Sequence, residues 1–228
     1  MRIEFLGTRG KVKSSAPSYN NHTGILIDDQ ILIDVGEPAF LQAPHKIILF
    51  THYHPDHAYF ISEYQAFEVD TLHFGPESHP LLPHVKLFDS ELVWEGYHIR
   101  SFPVMHALNL QSIGYIVEKN GLRVMITGDV AWIEKRVLDR MPSVDLICTE
   151  ATFIKKGGRI NQRGEKIFGH TGIPDLIRIL SPLTRRIAFA HYGEWFFSCF
   201  PRGAQMISRL TPPGMELITA KDGAVVKL

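Results

Sequence analysis

The densest chemistry in the chain is Thr51-His52-Tyr53-His54-Pro55-Asp56-His57, where three histidines and an aspartate fall within six positions. Neutral imidazole and carboxylate are ligands that Zn(II) and similar divalent ions accept. His52 and His54 stand two apart, so on an extended loop both side chains point the same way. Asp56 and His57 follow where the chain turns, and they can face a second position. Four ligands packed this tightly exceed the need of one ion and suit two neighbouring ions. The apolar run 46–50 precedes the stretch and the helix-like 58–67 follows. The ligands are therefore expected on a tight loop between a buried strand and a helix.

Three further candidates come directly after strand-like segments. His106 follows 99–104, Asp129 follows 124–127, and His191 ends 187–190. Catalytic ligands tend to sit on loops at strand ends. Asp34 ends another such segment, either as a turn former or as a carboxylate that positions the metal loop.

The elements that must hold these residues are mostly strands. Segments 2–6, 23–28, 30–34, 71–74, 85–88, 91–93, 97–104, 112–118 and 122–127 read as strands, with hairpins at Asp28-Asp29 and Asn120-Gly121. Residues 11–21 read as an exposed loop. From residue 131 the period changes: helices are expected over 131–141, from Thr171 or Gly172 to Leu180, and over 201–210, with strands at 144–149 and 186–191 between them. Residues 155–166, with five cations and three glycines, read as a loop that either clamps a phosphate backbone or is merely solvated. Segments 215–218 and 224–227 are expected to close the chain as a hairpin around Asp222-Gly223. One domain over 1–228 fits, an α/β fold of two sheets with helices outside.

The chain has 228 residues, 45% hydrophobic, with 24 basic and 24 acidic side chains. Such a balance gives no global attraction to nucleic acid or anionic membrane, so any phosphate-binding surface must be local. The two cysteines, Cys148 and Cys199, sit in apolar surroundings outside any CxxC and read as reduced thiols. The N-terminus lacks a signal-peptide layout, and no apolar run approaches a membrane span. A cytoplasmic location is expected, without a membrane partner. His22, His45, His73, His79, His84 and His98 have no motif context and read as structural or surface residues. The aromatic group 195–197 with Phe200 reads as core or a dimer contact.

On these residues the chain resembles the metallo-β-lactamase superfamily of dinuclear metallohydrolases. The His-x-His-x-Asp-His loop is the specific element, and Asp34, His106, Asp129 and His191 arrive in the family's order. The resemblance implies a four-layer αβ/βα sandwich of two mixed sheets. It also implies that His52, His54 and His106 hold one zinc, that Asp56, His57 and His191 hold the second, and that Asp129 bridges. The segment 103–115 lacks the Pro-Gly-His-Thr-Pro-Gly of the glyoxalase II and lactonase branches and is similar instead to the ribonuclease Z and phosphodiesterase branch. Glu150-Ala151-Thr152-Phe153 and Gly169-His170-Thr171 resemble the His-Glu-Ala-Thr and catalytic-histidine segments of that branch. Thr149 stands where the branch has His, so the support of His170 is expected to rest on Glu150 alone. The short interval from His106 to Asp129 leaves no room for the arm with which bacterial ribonuclease Z holds tRNA, so a smaller phosphodiester is expected.

The function implied is a dizinc phosphodiesterase, acting on a nucleotide or RNA ester through a metal-bridging hydroxide. Asp56, His170 and Glu150 are its candidate catalytic residues, with His170 as the acid. Two zinc ions per chain are expected, with manganese or iron as alternatives, and related enzymes suggest a homodimer. The rival readings are a lactone or thioester hydrolase with the same centre, and a metal- or nucleic-acid-binding protein without catalysis.

Overall fold

Runs of β-branched and aromatic residues become strands in the computed structural model, which describes residues 1–228. The first six are β1 (Arg2–Gly7), β2 (Gly24–Ile27), β3 (Ile31–Ile33), β4 (Ile47–Leu49), β5 (Leu72–Gly75) and β6 (Lys86–Leu87). Five more follow: β7 (Glu91–Trp94), β8 (Tyr97–Pro103), β9 (Ile113–Lys119), β10 (Leu122–Ile126) and β11 (Leu146–Ala151). The last five are β12 (Arg159–Arg163), β13 (Lys166–His170), β14 (Arg186–Tyr192), β15 (Glu216–Thr219) and β16 (Ala224–Lys227). The α-helices are α1 (Phe60–Glu63), α2 (Lys135–Leu138), α3 (Ile173–Leu180), α4 (Glu194–Ser198) and α5 (Gly203–Ser208).

Two seven-stranded mixed sheets result. Their orders are β16-β1-β2-β3-β4-β5-β6 and β15-β14-β11-β10-β9-β8-β7. Ile3, Ile25, Leu49, Val117, Val124 and Ala188 belong to one core cluster built from both sheets. A second cluster joins Ile173, Leu176 and Leu180 of α3, with Phe196 and Ile207, to the outer face of the later sheet. Phe40, Phe60 and Phe67 cover the first sheet in the same way. Each large aliphatic or aromatic side chain so buried contributes about 1.5–3 kcal/mol. The layers are helix, sheet, sheet, helix, as expected.

Both sheets change direction at one strand. β3 is antiparallel to β2 and parallel to β4, and β10 is antiparallel to β9 and parallel to β11. Crevices at the carboxyl ends of such strands are where sheets of this kind bind ligands. Asp34 follows β3, and Asp129 follows β10 closely.

Several sequence expectations are corrected. Helix 58–67 shrinks to the single turn α1, because Tyr64 takes a left-handed φ of 50° and ends it. Helix 131–141 shrinks to α2, because residues 131–132 instead bond back to Met105. The expected loop 155–166 contains β12 and the start of β13, an antiparallel hairpin forming its own small sheet. Its polar composition hid the strands, which bury almost nothing. The closing hairpin does not form: β15 pairs with β14 in one sheet and β16 with β1 in the other. Segment 194–198 forms a helix ahead of α5 that the sequence reading did not include. Loop 11–21 is largely exposed, as expected, although Tyr19 packs edge-on to Tyr192 and against Phe196. Both cysteines are free thiols. No helix is long and apolar enough to cross a membrane.

Candidate metal centre

The metal loop is held by its neighbours before any ion is considered. Ile47–Leu49 and Phe50 are fully buried, so β4 ends deep between its neighbours. Tyr53 points away from the site into the aromatic group of Phe50, Phe60 and Phe67, and its hydroxyl donates to the Glu77 carbonyl (2.8 Å). Alternation then turns His52 and His54 the other way, as their spacing predicts. The loop closes through His57 N–H to His54 C=O (2.9 Å) and Val35 N–H to His57 C=O (2.7 Å).

His191 is aimed by a bulge. In the pairing of β11 with β14, Glu150 faces Ala190 and Ala151 faces Tyr192, which leaves His191 as the extra residue, with φ of 52°. Bulges of this kind re-aim side chains beside active sites. Asp34 is also left-handed, with φ of 60°, a conformation Asp tolerates better than most residues.

Together the loops bring five imidazoles and two carboxylates into one cluster. Donor atoms of His52, His54, His106 and Asp129 lie within 4.8 Å of one another, and so do those of Asp56, His57 and His191. Asp129 divides its two oxygens between them. Oδ2 lies 3.7 Å from His52 Nε2 and 3.4 Å from His106 Nε2. Oδ1 lies 3.3 Å from His57 Nε2 and 3.4 Å from His191 Nε2. Asp56 Oδ2 meets His191 Nε2 at 2.9 Å.

The outward nitrogens are committed as donors. His57 Nδ1–H donates to Asp34 Oδ2 (2.7 Å). Thr51 donates to both oxygens of Asp34, and its hydroxyl accepts from His52 Nδ1–H (3.0 Å). His106 Nδ1–H donates to the Gly169 carbonyl (2.9 Å), and His191 Nδ1–H to Thr152 Oγ1 (3.0 Å). Assigned from these partners, Nδ1 carries the outward proton and Nε2 of His52, His57, His106 and His191 faces inward. His54 presents Nδ1, which lies 3.1 Å from His52 Nε2 and 2.9 Å from His106 Nε2. His57 Nε2 and Asp129 Oδ1 are buried with no hydrogen-bond partner. A buried polar atom left so costs about 1–3 kcal/mol. Converging donor atoms, two of them orphaned, fit a metal cofactor.

The titration balance agrees. Burial alone would raise the carboxyls of Asp56 and Asp129, but the imidazoles around them hold both well below the usual carboxylate range. Burial, with neighbouring imidazoles, keeps His52 and His106 below their ordinary value and His54 at about 4. Burial would also lower His57 and His191, but Asp129, with Asp34 at one and Asp56 at the other, outweighs it and raises both. Ions binding here must therefore displace protons from His57 and His191. Apparent metal affinity is expected to strengthen as pH rises above the ordinary histidine range. Competition with a chelator at several pH values reads this, and a flat profile would contradict it. Asp34→Ala leaves three donors without an acceptor and should weaken metal affinity by about 10–100-fold. The same titration measures it.

Beside the cluster lies a dyad. Val130 N–H donates to Glu150 Oε1 (2.6 Å), and His170 Nδ1–H donates to Glu150 Oε2 (2.9 Å). Glu150 is thus occupied, although it lies close enough to Asp129, His170 and His191 to join a ligand set. Burial opposes charge on His170, but Glu150, helped by Asp129 and Asp56, raises its pKa to about 9. His170 lines an open cleft of about 310 Å³ with His54, Asp56, Asp129, His191 and Lys11. Gly10 passes so close that an added Cβ would stand 2.9 Å from His191 Cε1.

No protein-family model and no curated protein matches the sequence. Solved structures match it along nearly its whole length. A metallo-β-lactamase fold protein from Bacillus subtilis, YhfI, is 16% identical with a TM-score of 0.70, covering 99% of this chain and 98% of that one. A diphosphatase of the PhnP family is 16% identical with a TM-score of 0.71, covering 99% and 97%. The short form of human tRNase Z is 16% identical with a TM-score of 0.66, covering 100% and 99%. The chain has the metallo-β-lactamase fold.

Within this fold all nine residues singled out from the sequence meet at one edge of the two sheets. Asp34 takes the positioning alternative, since it holds His57 and the Thr51 backbone. Thr149 bonds Thr127 (2.8 Å) and does not touch His170, as its departure from the resembling branch predicts. The support of His170 is not Glu150 alone, however, because Thr152 Oγ1 lies 3.3 Å from His170 Nδ1. Thr51 and Thr152 are the functional neighbours that sequence reasoning missed. Both lay inside quoted motifs, but a hydroxyl beside a histidine signals nothing until the fold shows what it faces. None of the five cations in 155–166 lines the metal cleft, where Lys11 stands instead.

Proposed function

We propose that the chain is a dinuclear-metal phosphodiesterase acting on a nucleotide or RNA ester. The carrying observation is the His170–Glu150 pair beside the ligand cluster. Two ions held by His52, His54 and His106, and by Asp56, His57 and His191, with Asp129 between, would supply Lewis acidity and a water acidified to near neutrality. Zinc suits this donor set of imidazoles and carboxylates, and manganese or iron can take it.

The chain's own residues do the rest. Lys11, at the cleft, offers a cation to a phosphoryl oxygen. His170, with Nδ1 held by Glu150, keeps Nε2 for the substrate. Protonated, it donates to the departing alkoxide, a far poorer leaving group than the thiolate of a thioester. Asp56, fixed by His191, stays ionised in the cleft.

A lactone or thioester hydrolase would use the same cluster. Parallel assays of bis-nitrophenyl phosphate, an acyl-homoserine lactone and a glutathione thioester separate the readings. Turnover of the phosphodiester is expected, and turnover of the lactone alone would overturn the proposal. Protein purified without a metal-binding tag is expected to carry close to two ions per chain. A clear zero would remove every hydrolase reading.

A further inference from the structure

We propose that a cavity between β8 and α2 is a second binding site, apart from the metal centre, for a small phosphomonoester carried on an apolar body. The proposal stands independently of the phosphodiesterase reading. The cavity measures about 410 Å³, a size that takes one small molecule. Its floor belongs to the outer face of the later sheet. Arg100 and Phe102 stand two apart on β8 and so share that face, and Arg100 pairs with Ile116 of β9. Phe102 lies over Gly114, where an added Cβ would stand 2.1 Å from the ring's Cζ. Val137 of α2, and Met141 beyond its end, pack against the same apolar cluster as Phe102 and Ile116. No residue lining the cavity belongs to the metal cluster.

Three guanidinium groups surround this floor, those of Arg100, Arg136 and Arg140. The acids on the neighbouring elements are engaged. Glu91 lies opposite Arg100 in register but meets His98 (3.0 Å), Glu118 holds Arg123 (2.7 Å), and Asp139 holds Lys135 (2.6 Å). Glu134 engages Arg136. Arg100 and Arg140 are left without an acid. Arg100 Nε is moreover buried with no hydrogen-bond partner, a donor that costs stability until an acceptor reaches it. In a chain of zero formal net charge, this excess of cations over one cavity is a local feature.

The chemistry of the occupant follows from both halves of the cavity. Guanidinium groups offer forked N–H donors that match phosphate oxygens, and several of them together suit a doubly charged head. Inorganic phosphate would leave the apolar floor of Phe102, Ile116, Val137 and Met141 bare, whereas an aromatic or aliphatic body on the head would cover it. Arg136 and Arg140 are exposed while Phe102 and Ile116 are buried, so the head belongs at the mouth and the body inside.

The test is calorimetric titration of the full chain as purified with 1-naphthylmethylphosphonate, whose carbon–phosphorus bond resists ester hydrolysis. Methylphosphonate supplies the head alone and 1-naphthalenemethanol the body alone. The intact probe is expected to bind at least tenfold more tightly than either part. Arg140→Glu changes an exposed position and should keep the fold, checked by circular dichroism, yet weaken the probe about tenfold or more, as loss of one charge-assisted hydrogen bond implies. Arg100→Gln/Arg140→Gln should weaken it further. Lys11→Gln alters the metal cleft and should leave probe affinity unchanged. Absence of wild-type binding overturns the site, and so does equal binding by Arg140→Glu and the wild type. A loss in Lys11→Gln alone places the probe at the metal centre and also overturns it. Methylphosphonate binding as tightly as the probe reduces the cavity to an adventitious anion site, and equal binding of naphthalenemethanol reduces it to an apolar patch. Turnover of bis-nitrophenyl phosphate by Arg140→Glu should match the wild type, so failure of this site and failure of the hydrolase reading are seen separately.

Discussion

Asp129→Ala is expected to hold at most one metal ion per chain and to lose phosphodiester turnover by about 10³-fold or more, roughly 4 kcal/mol of transition-state stabilisation. No other side chain in the cluster addresses both halves. Oδ2 serves His52 and His106, while Oδ1 serves His57 and His191. Asp129 is 3% exposed, so solvent cannot replace it freely. Its removal leaves five imidazoles, and the carboxylates that remain, Asp56 and Glu150, both stand on the side of His191. The ion on the side of His52, His54 and His106 would then have neutral ligands alone and should be the one lost. Metal content by elemental analysis, read beside turnover of bis-nitrophenyl phosphate, checks both parts. A variant with two ions and full turnover would show that Asp129 does not bridge.

His170→Ala should leave metal content intact and lower turnover of alkyl phosphodiesters by about 10²–10⁴-fold, the range of general-acid contributions. Nitrophenyl esters, whose leaving group needs little protonation, should lose much less. That contrast separates an acid from a residue that merely shapes the cleft. The pH profile carries the same information. The pKa of His170 is raised to about 9, so the protonated form dominates at neutral pH and activity falls as pH climbs through that value. Glu150→Gln removes the neighbouring negative charge, so the falling limb should move to lower pH. An unmoved limb would take the dyad out of the mechanism. Equal losses on both ester types would leave His170 a structural role.

Much of the fold was legible from periodicity. Buried strands such as Ile47–Leu49 and Leu146–Ala151 are apolar throughout, and the hairpins at Asp28-Asp29 and Asn120-Gly121 announce themselves by residues that accept positive φ. Helix length was not legible. Residues 58–67 and 131–141 have helical spacing, but Tyr64 and the bonds to Met105 claim their ends. The hairpin β12–β13 was hidden for the opposite reason, since β12 is exposed throughout and leaves no apolar pattern to read. Nor could two short strands 216–219 and 224–227 reveal that they belong to different sheets.

The ligand types and their order were readable because metal chemistry restricts the donors to imidazole and carboxylate, and because strand ends mark where they emerge. Their partition was not. Which oxygen of Asp129 faces which ring, that the bulge at His191 re-aims it, and that Thr51 and Thr152 set the tautomers all depend on atoms far apart in sequence. Those contacts exist only once two sheets pack face to face, because packing rather than local propensity decides where each strand end comes to rest.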